Sequence, residues 1–311
     1  MDTIKVFAPA TVANVVCGYD ILGFAVDEPG DDVVMRRTAV RGVSVKRITG
    51  DGGRLPLDPA MNTVSVSVQH YLEAIGAPDA GVEIELHKGM PVGSGLGSSS
   101  ASTVAGLYAI NQLMGGRLPA EKLLPFAMKG EEAACGSGHA DNVAPALLGG
   151  LVLIRSYDPL DVIRLPVPSA LYCAIVFPEV DVPTREARLM IKNKVDLRDA
   201  VRQWGNIAGL ISGLFMDDID LVGRSMHDVV AEPARAILIP GFYKMREIAL
   251  AGGAVSFGIS GSGPSVFSFV RDKDTAERIT NMLQRHLASI GIRSQVFVSA
   301  INRKGPKILD Q

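Results

Sequence analysis

The run Pro91-Val92-Gly93-Ser94-Gly95-Leu96-Gly97-Ser98-Ser99-Ser100-Ala101-Ser102 combines three alternating glycines with a cluster of hydroxyls. Gly93, Gly95 and Gly97 admit positive φ and a close backbone approach that a β-carbon would block. Ala101, Val104, Ala105 and Tyr108 then follow at helical spacing, which predicts a loop opening directly into a helix. The first N–H groups of such a helix have no acceptor within it, and with the positive end of the helix dipole they attract a phosphate. The loop is not a Walker A loop, because Ser98 and not a lysine follows Gly97, and the chain does not open there as a dinucleotide-binding βαβ unit. A flexible turn with a serine cap is the plain alternative, so other segments have to decide.

Five further segments carry candidate chemistry. Asn14 and Asp20 lie in a glycine-containing turn that could hold a small polar substrate or simply bond its own backbone. Glu131, with a loop serine, would offer Mg²⁺ the hard oxygen ligands it takes alongside nucleotide phosphates, although a solvated helix face is the commoner place for such a glutamate. The stretch from Gly136 through Ser137 and Gly138 brings His139, Asp141 and Asn142 close together; a histidine there is as readily structural as functional. Arg188, four residues after Thr184, and Arg235 offer guanidinium forks that match a carboxylate or phosphate, while each alone would be an ordinary surface arginine. A second glycine and serine loop, 258–265, reads either as a tight hairpin or as a backbone wall over a ligand.

The elements that must position these groups follow from periodicity. Strands are expected at 4–8, 33–37, 42–48 and 82–86, helices at 98–114 and 120–134, and a strand at 150–155. Pro159, Pro166 and Pro168 make 156–169 look like a boundary, so the expected domains are 1–165 and 166–311. Beyond it, strands are expected at 172–177, 254–258, 265–270 and 294–300, with helices at 184–191, 197–216, 219–230, 241–251 and 275–289. This order gives an α+β fold in both halves.

Composition narrows the partners. With 311 residues the chain can hold two domains and a cleft between them. A net charge of -2 without a basic run argues against nucleic acid. Three dispersed cysteines form neither a zinc pair nor a disulfide framework, and no apolar stretch is long enough for a bilayer. The expectation is a soluble cytoplasmic enzyme acting on small molecules, with no nucleic-acid or membrane partner.

Taken together, residues 8–24, 91–102 and 252–269 resemble the three signature regions of the GHMP kinases, and the resemblance spans nearly the whole chain. The motifs around His139-Ala140-Asp141-Asn142 and Val182-Pro183-Thr184 are most similar to the branch of that family acting on homoserine. The resemblance implies an N-terminal domain of the ribosomal protein S5 domain 2-like type, a ferredoxin-like C-terminal domain, and a homodimer. It implies ATP held by Pro91, Val92, Gly93, Ser94, Gly95, Leu96, Gly97, Ser98, Ser99, Ser100 and Ala101, with Asn62 and Lys88 near the nucleotide. Mg²⁺ would sit at Ser99 and Glu131. L-homoserine would be bound by Asn14, Asp20, His139, Asp141, Thr184, Arg188 and Arg235, with Asn142, Asp141 and Arg188 as the catalytic groups. Val12 stands where a serine is usual, and Cys17 and Tyr19 where proline and phenylalanine are common, which leaves one substrate-side hydroxyl in question. A relative acting on shikimate, pantoate or a mevalonate intermediate, and a catalytically silent nucleotide-binding regulator, stay open as alternatives.

Overall fold

The computed structural model describes residues 2–136 and 138–309; Ser137 lies outside the described residues. The chain runs β1 (Thr3–Ala13), β2 (Leu22–Arg37), β3 (Val43–Thr49), α1 (Thr63–Ala74), β4 (Val82–His87), α2 (Ser98–Leu113), α3 (Leu124–Cys135), α4 (Ala140–Leu148), β5 (Leu151–Tyr157) and β6 (Leu160–Leu165). It continues through β7 (Tyr172–Pro178), α5 (Thr184–Leu189), α6 (Leu197–Met216), α7 (Ile219–Ser225), α8 (Glu232–Arg235), α9 (Phe242–Ala251), β8 (Gly258–Ile259), β9 (Val266–Val270), α10 (Lys273–Ser289), β10 (Ser294–Ala300) and β11 (Lys307–Leu309).

The first sheet has the order β11-β1-β2-β4-β3, with β5 paired to the start of β2 and β6 to β5. Strand β4 shows why a sheet half-covered by helices alternates. Val82, Ile84 and Leu86 enter the core shared with α1, α2, α3 and α4, whereas Glu83 and Glu85 face away and pair with Arg36, Lys46 and Arg47. The second sheet, β10-β7-β9-β8, is antiparallel throughout. On β7, Ala174 and Val176 pack with residues of α9 and α10, and Cys173 and Ile175 point to the opposite face. That face meets the first sheet: Phe24 of β2 lies 5.6 Å from Phe267 and 5.0 Å from Phe269, centroid to centroid. The two sheets are therefore joined through an aromatic cluster inside a shared apolar core, with the Val26–Ile301 bridge beside it.

Local differences from the sequence reading have identifiable causes. Helix α1 was not anticipated, because Thr63-Val64-Ser65-Val66-Ser67-Val68 alternates like a strand and is β-branched. Its register is set by the Asn62 cap and by Val64, Val68, Tyr71 and Leu72, which share one buried face. Helix α4 was also missed, since Pro145 inside it masks the pattern. Strand β2 extends back to Leu22 through Asp27-Glu28-Pro29-Gly30-Asp31-Asp32, a stretch whose composition resembles a turn. The expected boundary 156–169 contains β6, because Pro159, Pro166 and Pro168 flank that strand and do not interrupt it. The expected strand at 254–258 shrinks to Gly258–Ile259. The helix expected at 219–230 stops at Ser225, where the Asp228 carboxylate takes over by accepting from the N–H groups of Val230, Ala231 and Glu232.

Truncating Phe24 to alanine removes the fully buried ring that joins the two sheets. The expected cost is about 3–5 kcal/mol of folding stability, read from urea denaturation. A change below 1 kcal/mol would show that the aromatic contact does not couple the sheets.

Candidate active site

A cleft of about 990 Å³ runs between the glycine loop, the turn after β1, Glu131 of α3, the start of α4, and α5. At one end Gly93, Gly95 and Gly97 all adopt left-handed φ, as the sequence required. Gly97 immediately precedes α2 and supplies no side-chain cap, so the first-turn amides are left for another acceptor. A β-carbon on Gly97 would sit 2.0 Å from Thr11 Oγ1 and 2.9 Å from Asn142 Oδ1. Those two groups are themselves bonded, with the Thr11 hydroxyl donating to Asn142 Oδ1 at 2.7 Å.

Beneath α2 lies a fully buried ion pair. Lys88 Nζ donates to Asp31 Oδ2, to the Ser98 carbonyl at 2.6 Å and to Ser102 Oγ at 2.8 Å. Ser102 Oγ donates in turn to Asp31 Oδ2 at 2.6 Å, and the Gly89 N–H to Asp31 Oδ1 at 3.0 Å. Burial pushes the Asp31 carboxyl up and the Lys88 ammonium down, and their mutual attraction opposes both shifts. Lys88 borders the cleft, and its ammonium already has three protein acceptors. Asn62 also borders the cleft, and its amide is occupied by the α1 cap, accepting from Val64 N and donating to the Pro56 carbonyl.

Glu131 is buried beside Ser99 and Ser100. Burial raises its pKa, while those two hydroxyls and Lys88 lower it. Its Oε1 has no hydrogen-bond partner among the described residues, an orphaned acceptor of the kind a cation satisfies.

The other end of the cleft is built on strained backbone. Asn14, Val15, Val16 and Asp20 have φ of 70°, 43°, 61° and 59°, a region β-branched residues rarely occupy, at a cost of order 1–3 kcal/mol each. The turn is held by the Gly18 N–H donating to the Asn14 carbonyl and by Gln203 Nε2 donating to the Cys17 carbonyl. Asn14 Oδ1 accepts from Asp20 N at 3.0 Å, and Asn14 Nδ2 donates to the Gly261 carbonyl at 2.8 Å. Arg235 donates to the same carbonyl at 3.0 Å. Asp20 accepts both terminal nitrogens of Arg188, at 3.0 and 2.9 Å, and its Oδ2 lies 3.8 Å from His139 Nδ1. Both guanidiniums stand over the Tyr19 ring. Burial and Arg188 depress the His139 pKa against the pull of Asp20. Thr184 Oγ1 lies 3.2 Å from Ser262 Oγ.

Helix α4 delivers Asp141 and Asn142 between the two ends. Pro145 has no N–H to offer the Asp141 carbonyl four residues back. That carbonyl instead presses on Gly23 of β2, where a β-carbon would come within 1.8 Å of it. The Asp141 carboxyl is pushed up to about 7, first by burial, then by Asp20 and Glu131, against the opposing pull of Arg188. The 258–265 loop takes the tight-hairpin reading and borders the cleft through Gly261 and Ser262. It is the β8–β9 hairpin, and its Ser260 Oγ donates to the Gly95 carbonyl at 2.7 Å, which closes it onto the glycine loop.

All the candidate residues except Pro91, Leu96 and Ala101 line the cleft. Four supporting groups escaped the sequence reading. Thr11 lies within the 8–24 region, but nothing in the sequence marks its hydroxyl. Asp31 was hidden in the acidic stretch of β2. Tyr157, whose hydroxyl donates to the Asp20 carbonyl and accepts from the Ala140 N–H, and Gln203 carry no local signal.

A carboxyl with a raised pKa in the folded chain binds its proton more tightly there than when unfolded, so stability falls as pH rises from about 4 to about 7. Asp141→Asn should abolish that loss and leave the variant about 2–4 kcal/mol more stable than the parent at pH 8, with little difference at pH 4. Denaturant midpoints at both pH values check this; a variant less stable at pH 8 would refute the burial penalty.

Comparison with known proteins gives the site a family. The GHMP kinases N terminal domain matches residues 62–150 and the GHMP kinases C terminal domain residues 207–289. The homoserine kinase of Chlorobium phaeobacteroides strain BS1 is 45% identical over 99% of this chain and 100% of its own length, and that of Chlorobaculum tepidum is 45% identical over 99% of each. The crystal structure of homoserine kinase from Cytophaga hutchinsonii superposes with a TM-score of 0.97 at 56% identity, covering 99% of this chain and 98% of that one. Mevalonate kinase of L. major shares the fold at a TM-score of 0.72 and 15% identity. On this evidence the chain belongs to the GHMP kinase family.

Proposed function

We propose that this chain is an ATP-dependent kinase that transfers the γ-phosphoryl group of ATP to the side-chain hydroxyl of L-homoserine, giving O-phospho-L-homoserine for threonine biosynthesis. The observation that carries this reading is the meeting, in one cleft, of the uncapped amide turn of α2 with a pocket containing both signs of charge. The full-length similarity to homoserine kinases supports the same reading.

The glycine loop and the first turn of α2 take the nucleotide phosphates through main-chain N–H groups. Asp20 and Arg188 bond each other, and a zwitterionic amino acid offers each a partner of opposite sign, exchanging one ion pair for two. Asp141 and Asp20 meet the ammonium, Arg188 and Arg235 the carboxylate, with Asn14, His139 and Thr184 completing the walls. Asn142 Oδ1 is taken up by Thr11, so the amide presents its N–H₂ end to the reacting oxygens. Phosphoryl transfer through a loose transition state asks chiefly for alignment and charge neutralisation. The acceptor hydroxyl accordingly loses its proton late, to a phosphate oxygen, and no strong base is needed.

Glu131 and Ser99 fit Mg²⁺, because a buried carboxylate with an orphaned oxygen beside a hydroxyl is a hard-oxygen donor set. The ion would neutralise charge on the phosphates. The reading also includes a division into units 1–165 and 166–311, from which only β11 returns to the first sheet, a homodimer and a cytoplasmic location; no described helix is long and apolar enough to cross a membrane.

A panel of acceptor alcohols with coupled ADP detection tests the substrate. Homoserine should exceed acceptors lacking the ammonium group by at least about 100-fold in kcat/KM, the worth of about 2.7 kcal/mol. Preference for shikimate, pantoate or mevalonate would overturn the assignment of Asp20 and Asp141. For the metal, Glu131→Gln should lower kcat by about 100-fold or more, whereas exposed Glu132→Gln should change it less than about twofold. Equal effects would remove Glu131 from the site.

A further inference from the structure

The face of α6 turned away from the core carries Leu197, Val201, Trp204, Ala208 and Phe215, spaced four, three, four and seven residues apart, while Ile211 beside them packs against the core. At 3.6 residues per turn these positions fall on one narrow stripe about 30 Å long. Its bulky members are open to solvent: Leu197 is 70% exposed, Val201 54%, Trp204 59% and Phe215 67%. The opposite side, through Gln203, Leu210, Gly213 and Leu214, is buried. An amphipathic helix with one apolar side in the core and a second apolar stripe in water is short of a partner.

The stripe matches itself when reversed. Its middle is small, with Gly205, Ala208 and Ser212 exposed together, which lets two helix backbones approach closely. Bulky side chains stand on either side of that middle, Val201 and Trp204 toward one end and Phe215 toward the other. Charges differ at the ends: Arg198 lies at the N-terminal end and Asp217 at the C-terminal end, both exposed and neither in an ion pair among the described residues. An antiparallel pairing across a two-fold axis near Ala208 would bring each Arg198 to the Asp217 of the other copy, as an isologous contact requires.

We infer that α6 is the interface on which a second copy of this chain docks, antiparallel, α6 against α6. This deepens the homodimer within the proposed function, and it is independent of which acceptor the kinase phosphorylates.

Trp204 is the chain's one tryptophan, so its emission reports this face directly. Sedimentation velocity over a concentration series should show a monomer–dimer equilibrium, with Trp204 emission shifting to shorter wavelength as the dimer forms. Ala208→Arg should raise the dimer dissociation constant by at least about 100-fold while leaving the far-ultraviolet circular dichroism and the melting temperature of the monomer unchanged. Arg198→Glu and Asp217→Arg should each weaken the dimer, and the double swap should restore it by at least about tenfold over either single change. A dimer untouched by Ala208→Arg, with Trp204 emission constant on dilution, would leave the homodimer standing and overturn α6 as its interface. A chain monomeric at every concentration would overturn both the homodimer and this interface. The ADP-release assay reads separately whether the kinase assignment holds.

Discussion

The contact between Asp31 and Lys88 is the constraint around which the cleft is organised. Neither charge reaches water, and two ions removed from solvent persist only when their remaining donors and acceptors are satisfied. Here they are, by Ser98, Ser102 and Gly89. The consequence is geometric. A carboxylate from the middle of β2 and an ammonium from the end of β4 fix the first carbonyl of α2, and with it the direction in which the uncapped amides of that helix face.

From that anchor the rest follows by short steps. Gly97 rests on the Thr11–Asn142 hydrogen bond, which ties the glycine loop to β1 and α4. Ser260 bonds the same loop to the β8–β9 hairpin, and the Gly261 carbonyl gathers Asn14 and Arg235. Parts of both sheets therefore meet around the glycine loop and the uncapped first turn of α2. A reaction that depends on alignment more than on a strong base suits a site held this tightly.

The strained turn from Asn14 to Asp20 shows a second economy. Left-handed valines are unfavourable in isolation, and they persist because the surrounding bonds over-determine the backbone. The reward is placement of Asn14 and Asp20 at the edge of a pocket whose charges compensate one another internally. Asp141, crowded by burial and by other carboxylates, is the member of that set with the most to gain from a cationic ligand.

The glycine loop, the helix behind it, the mixed charges and most element positions were legible in the sequence, because positive φ, helical spacing and charge type are local properties carried by the residues themselves. The α+β class followed from the same periodicities. What was not legible involved distant partners. Thr63–Ala74 alternates like a strand and became a helix because Asn62 caps it and its i, i+4 face finds α2 and α3. Asp31 lies in an acidic stretch that carries no local sign of a partner, and only the fold brings Lys88 beside it, 57 positions along the chain. Asn142 was readable as polar, but only its bond to Thr11, 131 positions away, decides which end of its amide faces the cleft. The sequence determined which chemistries were available and which segments had to bend or coil. The tertiary structure alone decided which groups are paired and how they point, because pairing depends on residues that only the folded chain makes neighbours.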